Sequence, residues 1–376
     1  MDIYYIILFI LFIFSFLEQF TNISQSAKKV IVFVFSLVYI FLSTFYEGDM
    51  GDYDSYKLFF QSVRIEYLYD PLNSWFEFLY TAVNYAVRLI TSDYIVLRFV
   101  LSVIVMSLWY QIYTYSESET IGKNSLTFMM LLWALGYGNI YITRSTVSIA
   151  ICLFSLRYVE KRDIKRFLLC TAIATGFHTM SVVWLLVYPG FHWLKVKYTL
   201  CISMICFAGV LIFSDRFKII FSLLGNVFGN RIQRSIDMYV SSGTGQMLGY
   251  AYDMRFTIIK GMANIFLMII VFQCLSSRYA RMSDGGFRYF NQYFNLYLIG
   301  TIMYVISMPV SIGLSRVAVP FTYISFFLLP HMFDLPEIKR NQAAKVIVFI
   351  GFFAYIFLRF YLNLGNGTEG YKTVFA

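Results

Sequence analysis

Apolar runs long enough to cross a lipid bilayer recur throughout this chain of 376 residues. A transmembrane helix needs about 20 mostly apolar residues. Hydrophobic residues make up 59% of the chain and charged residues only 14%, whereas about a quarter of an ordinary soluble domain is charged. One core could not bury this much apolar surface. The sequence therefore predicts an all-α polytopic integral membrane protein, with residues 1–376 forming a single transmembrane domain.

Ten of the runs have the composition of complete spans, and the charges between them predict the topology. Lys and Arg cluster in short connections at residues 28–29, 157–166, 195–197, 278–288 and 339–340. Because basic loops stay on the cytoplasmic side, the loops 47–70 and 215–255 are predicted to be external. The same distribution accounts for the net charge of +9, so nucleic acid is not an expected partner. The predicted spans are residues 3–17, 30–46, 94–113, 126–142, 147–159, 198–213, 256–275, 290–308, 317–333 and 346–360.

Two further apolar segments, 71–92 and 167–188, are predicted not to cross the membrane completely. If both crossed, the sequence RYVEKRDIKR at 157–166 would lie outside with its five positive charges. The first segment carries one polar stripe at helical spacing, which predicts an amphipathic helix in the outer interface or along a wet cavity. The alternative is an ordinary span whose stripe packs on its neighbours. The stripe consists of Asn73, Glu77, Thr81, Asn84 and Arg88.

The second segment has the sequence Gly176-Phe177-His178-Thr179 in its middle, which predicts a division into two half-helices. Irregular backbone at membrane depth survives only where protein or water satisfies its polar groups. His178 is therefore expected to face a polar cavity, as a general base or as a donor to phosphate. The alternative is a core histidine that is satisfied by a backbone carbonyl.

Three arginines stand at the predicted external ends of spans, namely Arg144, Arg255 and Arg316. A guanidinium group binds phosphate oxygens in pairs, and a helix N-terminus adds a favourable dipole. Together they predict a site for the diphosphate of a polyprenyl lipid, although single arginines at helix ends more often extend to lipid headgroups. Arg231 and Arg234, in the amphipathic external loop 215–255, are weaker candidates for binding phosphate or an acidic sugar, with solvated surface as the alternative.

The first external loop combines acidic and aromatic side chains, which suits sugar binding. Carboxylates accept hydrogen bonds from hydroxyl groups, and flat rings stack on the apolar faces of sugars. Asp52-Tyr53-Asp54 also has the form of a metal-binding pair, but a solvated acidic surface explains it equally well. No cofactor is therefore expected, and a divalent metal is the less favoured alternative. The candidates in this loop are Asp52, Tyr53, Asp54 and Tyr56.

Three stretches of the sequence resemble the EpsG family of exopolysaccharide proteins, within the wider Wzy-type class of polysaccharide polymerases. MGDYDSYKLFF at 50–60 resembles the external acidic and aromatic segment of the family. The run from Arg144 through ATGFHTMS resembles its arginine-led span and A..FH.S signature, with Ala174 and His178 on the pattern. GLSRVAVPFTYISFFLLP at 313–330 resembles its R...Y....LLP stretch and contains Arg316.

This resemblance implies a GT-C-like helical bundle in a bacterial cytoplasmic membrane. The charge pattern predicts that this bundle has about ten spans plus re-entrant or interfacial helices, with an active site facing the periplasm or exterior. The resemblance also implies a glycosyltransferase that moves a polyprenyl-diphosphate-linked glycan onto the nonreducing end of another lipid-linked unit. Arg144 and Arg316, helped by Arg255, would hold the diphosphate, and Asp52 or His178 would orient or deprotonate the acceptor hydroxyl. Expected partners are that lipid-linked oligosaccharide, membrane lipids, a flippase and a chain-length regulator.

Two other functions fit the same residues. A transporter or flippase of lipid-linked oligosaccharide would also use arginines in a wet cavity, although such proteins usually show paired broken helices. A membrane O-acyltransferase would use His178 in an acyl channel. The polymerase is the favoured hypothesis because it gives the external arginines a chemical role.

Overall fold

The computed structural model describes residues 3–47, 53–69, 76–114, 124–134, 142–210, 254–279, 289–307 and 315–364. Helices are the regular elements in these ranges, and short 3₁₀ helices cover Thr179–Leu186, Arg316–Ala318 and Leu329–Asp334. The α-helices are α1 (Ile3–Phe20), α2 (Gln25–Phe45), α3 (Tyr53–Ser62), α4 (Glu66–Tyr69), α5 (Phe78–Arg88), α6 (Tyr94–Thr114), α7 (Ser125–Leu132), α8 (Arg144–Glu160), α9 (Ile164–Phe177), α10 (Val187–His192), α11 (Val196–Val210), α12 (Met254–Tyr279), α13 (Phe290–Ser307), α14 (Val319–Thr322), α15 (Ile324–Leu328), α16 (Pro336–Arg340) and α17 (Gln342–Leu364).

Four helical segments of the described residues have the length and hydropathy of membrane spans, namely Ile3–Phe20, Gln25–Phe45, Tyr94–Thr114 and Arg316–Asp334. Shorter apolar helices at Val196–Val210, Ile265–Arg278 and Gln342–Leu358 fall on three more of the predicted spans. The all-helical class of membrane protein is thus confirmed for the described residues. The count of ten spans stays a prediction.

The chain divides into two compact units, residues 1–185 with 330–376 and residues 186–329. In the second unit, α13 packs against α10, α12, α14 and α15. Gly300 of α13 allows this close packing, because a Cβ atom there would lie 2.2 Å from Cβ of Phe321 in α14. The prediction of a single domain stays untested by this division.

A tight turn joins α8 and α9 into a hairpin within the first unit. The amide of Asp163 donates to the carbonyl of Tyr158 (2.8 Å) and the amide of Arg162 to that of Val159 (3.0 Å), with Arg162 at a φ of 58°. This pattern ends a helix with a left-handed residue. The Asp163 carboxylate then caps α9 by accepting from the Arg166 amide at 3.1 Å. The basic sequence RYVEKRDIKR therefore lies at one end of the hairpin, and Arg144 and His178 lie at the other.

Other contacts of the first unit assign more helix ends to the same two sides. Arg98, near the start of α6, donates to the carbonyls of Ser43 and Tyr46, so the end of α2 meets the start of α6. That start lies on the side of Arg144, because Tyr94 contacts Tyr53 of α3 and the Tyr56 hydroxyl of α3 accepts from Arg144. Lys28, at the start of α2, pairs with Glu18 near the end of α1 at 2.9 Å. We call the side with Lys28 and the α8–α9 turn the basic end, and the side with Arg144 and His178 the site end.

The polar stripe of segment 71–92 does not face water at its centre. Helix α5 has 11 residues and is about 16 Å long, too short to cross the hydrocarbon layer. Thr81 and Asn84 are both 0% exposed because this face of α5 packs inside the protein. The prediction of an interfacial or wet stripe is therefore wrong at these two residues. Asn73 lies outside the described residues.

Candidate functional site

Arg144 is the first residue of α8, as the sequence predicted, and its side chain is only 24% exposed. Its Nη1 donates to Oε2 of Glu77, and its Nε donates to the Tyr56 hydroxyl at 3.3 Å. The guanidinium carbon lies 4.8 Å from the centre of the Phe76 ring, an arrangement that favours a cation. Thr143 caps this helix end through a reciprocal bond with Thr146. These contacts fix the arginine at the helix N-terminus.

The Glu77 carboxylate connects Arg144 to the chain around His178. Its Oε2 accepts from Arg144, while its Oε1 accepts from the Thr179 amide at 3.0 Å and the Thr179 hydroxyl at 3.1 Å. The same Oε1 lies 3.4 Å from Nδ1 of His178. Burial raises the pKa of Glu77, but the contact with His178 and the charge of Arg144 outweigh it and lower the pKa to about 2. Glu77 is therefore an anion held between two basic groups.

His178 stands where the predicted interruption of segment 167–188 occurs. Helix α9 ends at Phe177, His178 has an extended backbone (φ −152°, ψ 113°), and a 3₁₀ helix begins at Thr179. Two contacts to α8 hold the 3₁₀ helix in place. Ser181 hydrogen-bonds Ser148, and the indole of Trp184 donates to the Ser155 hydroxyl at 3.0 Å. The interruption is thus confirmed, and it presents His178 beside α5 and α8.

Gly176 permits the close approach that brings Glu77 to His178. A Cβ atom at position 176 would lie 2.6 Å from Cδ1 of Leu79 and 2.7 Å from its Cγ, closer than atoms can pack. Leu79 is two residues after Glu77 on α5. The absent side chain of Gly176 therefore allows α5 and α9 to meet at the site.

Aromatic rings form one wall of the site. The Tyr56 ring stacks on Phe76 with centroids 5.0 Å apart and an angle of 14° between planes, and it meets Tyr80 edge to face at 5.7 Å. Tyr53 lies against Tyr94 at 5.7 Å and against the Arg98 guanidinium at 5.6 Å. Both predicted sugar-stacking residues, Tyr53 and Tyr56, are thus buried against protein groups, and their contact with sugar stays a prediction.

The other residues predicted from the sequence are placed only in part. Asp54 is exposed in the first turn of α3, and Arg316 is exposed where its 3₁₀ helix begins. Arg255 is the second residue of α12. Arg255 and Arg316 belong to the second unit and Arg144 to the first, so the shared diphosphate site stays a prediction. Asp52, Arg231 and Arg234 lie outside the described residues.

The metal-binding alternative for Asp52 and Asp54 stays a prediction. No group of three or more His, Cys, Asp or Glu side chains in the part of the chain that the structure describes is arranged to hold a metal ion. Asp52, half of the predicted metal-binding pair, is outside that part. Glu77, an acidic group of the site, is engaged by Arg144 and His178.

Four residues of the region were not among the predicted site residues: Phe76, Glu77, Arg98 and Thr179. Glu77 is visible in the sequence as the only carboxylate of an otherwise polar or basic stripe. Arg98 is visible as a charge within a predicted span, where it needs partners; it is only 3% exposed. Phe76 and Thr179 carry no such signal, because their roles depend on which helices pack together.

These features define a helical membrane protein with a partly buried Arg–Glu–His cluster at one end of a unit. The chain belongs to the EpsG family, whose family model matches residues 29–373. The predicted resemblance is therefore confirmed. Membership indicates a polymerase-like function in polysaccharide biosynthesis and a membrane location. No curated protein and no solved structure matches the chain.

Proposed function

We propose that this protein is a polysaccharide polymerase that transfers a glycan from polyprenyl diphosphate to the nonreducing end of a second lipid-linked unit. The observation that carries the proposal is the cluster of Arg144, Glu77 and His178 in a chain of the EpsG family. The reaction needs a cation to stabilise the departing diphosphate and a base to accept the proton of the sugar hydroxyl. Arg144 and His178 supply these two groups.

Arg144 is suited to the leaving group because two of its donors are already used for positioning. Its Nη1 and Nε bind Glu77 and Tyr56, and among the described residues no hydrogen bond uses Nη2. Donors fixed in this way lose little freedom when they bind a phosphate oxygen. The start of α8 adds the positive end of a helix dipole at the same place.

The arrangement of charge in the first unit supports an active site on the outer face. Lys28 and the α8–α9 turn lie at the basic end, opposite Arg144 and His178. Basic helix ends and loops stay in the cytoplasm, so the site end faces outward. We also propose that the protein lies in a bacterial cytoplasmic membrane and has about ten spans in a GT-C-like arrangement.

The residues outside this cluster keep the roles proposed from the sequence. Arg316 and Arg255 would bind phosphate, and Asp52 would bind the acceptor. Asp54, Arg231 and Arg234 would contact the sugars. Replacing Arg316 by Ala tests the first of these roles separately from the Arg144 cluster. We expect a loss of about a hundredfold in the rate of polymer formation if Arg316 stabilises the leaving group.

The test of the function uses the purified protein and lipid-linked repeat units from membranes of cells that lack it. The protein is kept in detergent, so that both faces are accessible and no translocation is needed. We expect a ladder of polymer on a gel, with free polyprenyl diphosphate released in step. Protein boiled before the assay is the control.

Two results would overturn the proposal. If intact protein makes no ladder in detergent but moves the same lipid across a liposome membrane, the protein is a transporter. If it adds acyl groups to the glycan without lengthening it, the protein is an acyltransferase.

A further inference from the structure

We propose that Glu77 is a positioning residue that makes His178 the base of the reaction. The carboxylate Oε1 holds the Nδ1–H of His178, so that Nε2 carries the free lone pair and faces the acceptor hydroxyl. This inference rests on the proposed function and specifies how its site works. The inference concerns which nitrogen of the His178 ring carries the hydrogen. This property can be measured without any turnover of the enzyme.

The geometry selects one nitrogen of His178. Nδ1 is buried and makes no hydrogen bond within the described residues, and Oε1 of Glu77 lies 3.4 Å from it. This distance is longer than an optimal N–H···O bond, as is common for catalytic hydrogen bonds before substrate binds. A neutral imidazole has one N–H, and a carboxylate next to one nitrogen keeps the hydrogen there. The other nitrogen, Nε2, is then the only one that can accept a proton.

Oε1 itself is held in place from two sides. The amide and the hydroxyl of Thr179 donate to it at 3.0 and 3.1 Å. Because Thr179 follows His178 directly, the acceptor and the ring are fixed to the same short stretch of backbone. Rotation of Glu77 away from His178 would break both bonds, so the carboxylate is held beside Nδ1.

The charged groups beside the ring come from two neighbouring parts of the chain. Glu77 is the N-cap residue directly before α5, and α8 contributes Arg144, which binds the other oxygen of the same carboxylate. The last seven residues of α9, Thr171–Phe177, contain no ionisable group. When His178 gains a proton, Glu77 is the acidic group paired with it among the described residues. One carboxylate thus serves the base and the cation that binds the leaving group.

The reaction balances with these groups. The acceptor hydroxyl oxygen forms a bond to the anomeric carbon of the growing chain as the bond from that carbon to the lipid diphosphate breaks. The electron pair of the broken bond leaves with the diphosphate, whose new charge Arg144 stabilises. The hydroxyl proton passes to Nε2 of His178, and the resulting imidazolium later releases it to water.

The tautomer of His178 is measured directly by nitrogen NMR on detergent-solubilised protein labelled with ¹⁵N-histidine. The chain has three histidines, so a His178→Gln variant assigns the signals of His178. In the wild type we expect the tautomer with hydrogen on Nδ1. In Glu77→Ala we expect the ring to lose this preference, because the free imidazole favours hydrogen on Nε2. Glu66→Ala, which removes an exposed carboxylate from α4, should leave the wild-type signals.

Rates of polymer formation are measured on the same samples. We expect Glu77→Ala and Glu77→Gln to be at least tenfold slower than the wild type, since neither side chain can stabilise the imidazolium. Glu77→Gln keeps an oxygen for Thr179, so it remains informative if the alanine variant does not fold. Glu66→Ala should keep the wild-type rate.

The possible failures are distinct. Hydrogen on Nε2 in the folded wild type overturns the inference, and so does a tautomer that does not change in Glu77→Ala, even if polymer is made. A wild-type protein that makes no polymer refutes the proposed function, while the NMR result still decides whether Glu77 positions His178.

Discussion

Two carboxylates of the first unit each bind a cation and cap the start of a helical segment, yet their surroundings differ. Glu18 pairs with Lys28 at 2.9 Å and accepts from the amides of Leu126 and Thr127 at 3.0 and 2.8 Å, at the start of α7. Glu77 pairs with Arg144 and accepts from the amide of Thr179, at the start of a 3₁₀ helix. The first lies at the basic end and the second at the site end.

The difference is whether protein groups surround the pair completely. The Glu18 side chain is 0% exposed and that of Lys28 is 7% exposed, and hydroxyls of Ser125 and Thr127 complete the hydrogen bonds of the carboxylate. Arg144 and His178 are 24% and 23% exposed. A buried, fully bonded pair can only hold helices together. The partly open pair has donors left for a ligand.

The hydrogen-bonded cluster around Glu18 and Lys28 continues into the C-terminal part of the unit. Asn124 accepts from Gln19 at 2.8 Å and donates to the Pro330 carbonyl and to Asp334, both at 3.2 Å. His331 contacts the same oxygen of Asp334 at 2.8 Å and is 5% exposed. This histidine therefore joins helices, whereas His178 has one edge against Glu77 and the rest of its ring partly open.

The largest effect should come from disrupting the buried pair of Glu18 and Lys28, which we call the closed pair. Glu18→Gln leaves Lys28 charged and buried without its counterion, and such changes cost about 3 to 5 kcal/mol of stability. Thermal unfolding in detergent should show the loss. Lys29→Ala, which removes the exposed neighbour of Lys28, is the matched control and should unfold like the wild type.

A double variant tests whether the unpaired charge of Lys28 causes the loss of stability in Glu18→Gln. Glu18→Gln with Lys28→Met removes both charges and should recover much of the stability, because a buried pair can often be replaced by apolar groups. If Glu18→Gln alone unfolds within about 0.5 kcal/mol of the wild type, the closed pair does not hold the helices together.

We call the partly exposed pair of Arg144 and Glu77 the open pair. There, Arg144→Ala should affect the reaction far more than the fold. Loss of one group that stabilises transition-state charge costs about a hundredfold to a thousandfold in rate. We expect this loss in the detergent polymer assay, with an unfolding temperature much closer to the wild type than that of Glu18→Gln. Arg64→Ala, at an exposed arginine between α3 and α4, should keep full activity. An Arg144→Ala enzyme of wild-type rate would remove Arg144 from the site.

A smaller effect should follow from changing the contact that forms the site. Gly176→Ala places a Cβ atom 2.6 Å from Leu79, which must move and displace the start of α5 with Glu77. Because catalytic geometry tolerates little displacement, we expect about a tenfold slower rate. Leu79→Ala in the same chain should restore part of it.

The control for Gly176 is Gly351→Ala in α17, where an added Cβ would meet nothing within 4 Å. This variant should have the wild-type rate. If Gly176→Ala is slow but Leu79→Ala gives no recovery, the displacement of α5 is not the cause.

The sequence predicted the ends of the site but not the residue that joins them. Arg144 and His178 could be found because a charged or polar group in an apolar run needs a reason, and the hairpin that brings them together follows from one basic turn. Glu77 is 67 residues from Arg144 and 102 from Thr179. That contact depends on how α5 packs against α9 at Gly176, which no local pattern of the sequence specifies.

The burial of the polar stripe shows the same limit. Helical spacing correctly placed Thr81 and Asn84 on one face of α5, but spacing does not say what covers a face. In a membrane protein a polar face can meet water, headgroups or another helix. Here it meets the protein, and only its first described member, Glu77, reaches the site.

The smallest expected effect is the pH dependence of the open pair. The pKa of Glu77 is lowered from 4.5 to about 2 in the folded protein. Below pH 4.5 the unfolded chain therefore binds more protons than the folded one, so the stability that this carboxylate contributes falls as the pH falls. We compare the unfolding temperatures of the wild type and Glu77→Gln. Their difference should narrow steadily from pH 4.5 towards pH 2.

The exposed carboxylate of Glu66 provides the reference, because Glu66→Gln should differ little from the wild type at any pH in this range. A difference for Glu77→Gln that narrows with rising pH would have the wrong sign for a carboxylate with a lowered pKa. A difference that stays constant down to pH 3 would mean that the negative charge of Glu77 does not stabilise the fold. Glu77 would then act only through the hydrogen bonds that an amide can replace, and Glu18 and Glu77 would differ in the effect of their charge as well as in their exposure.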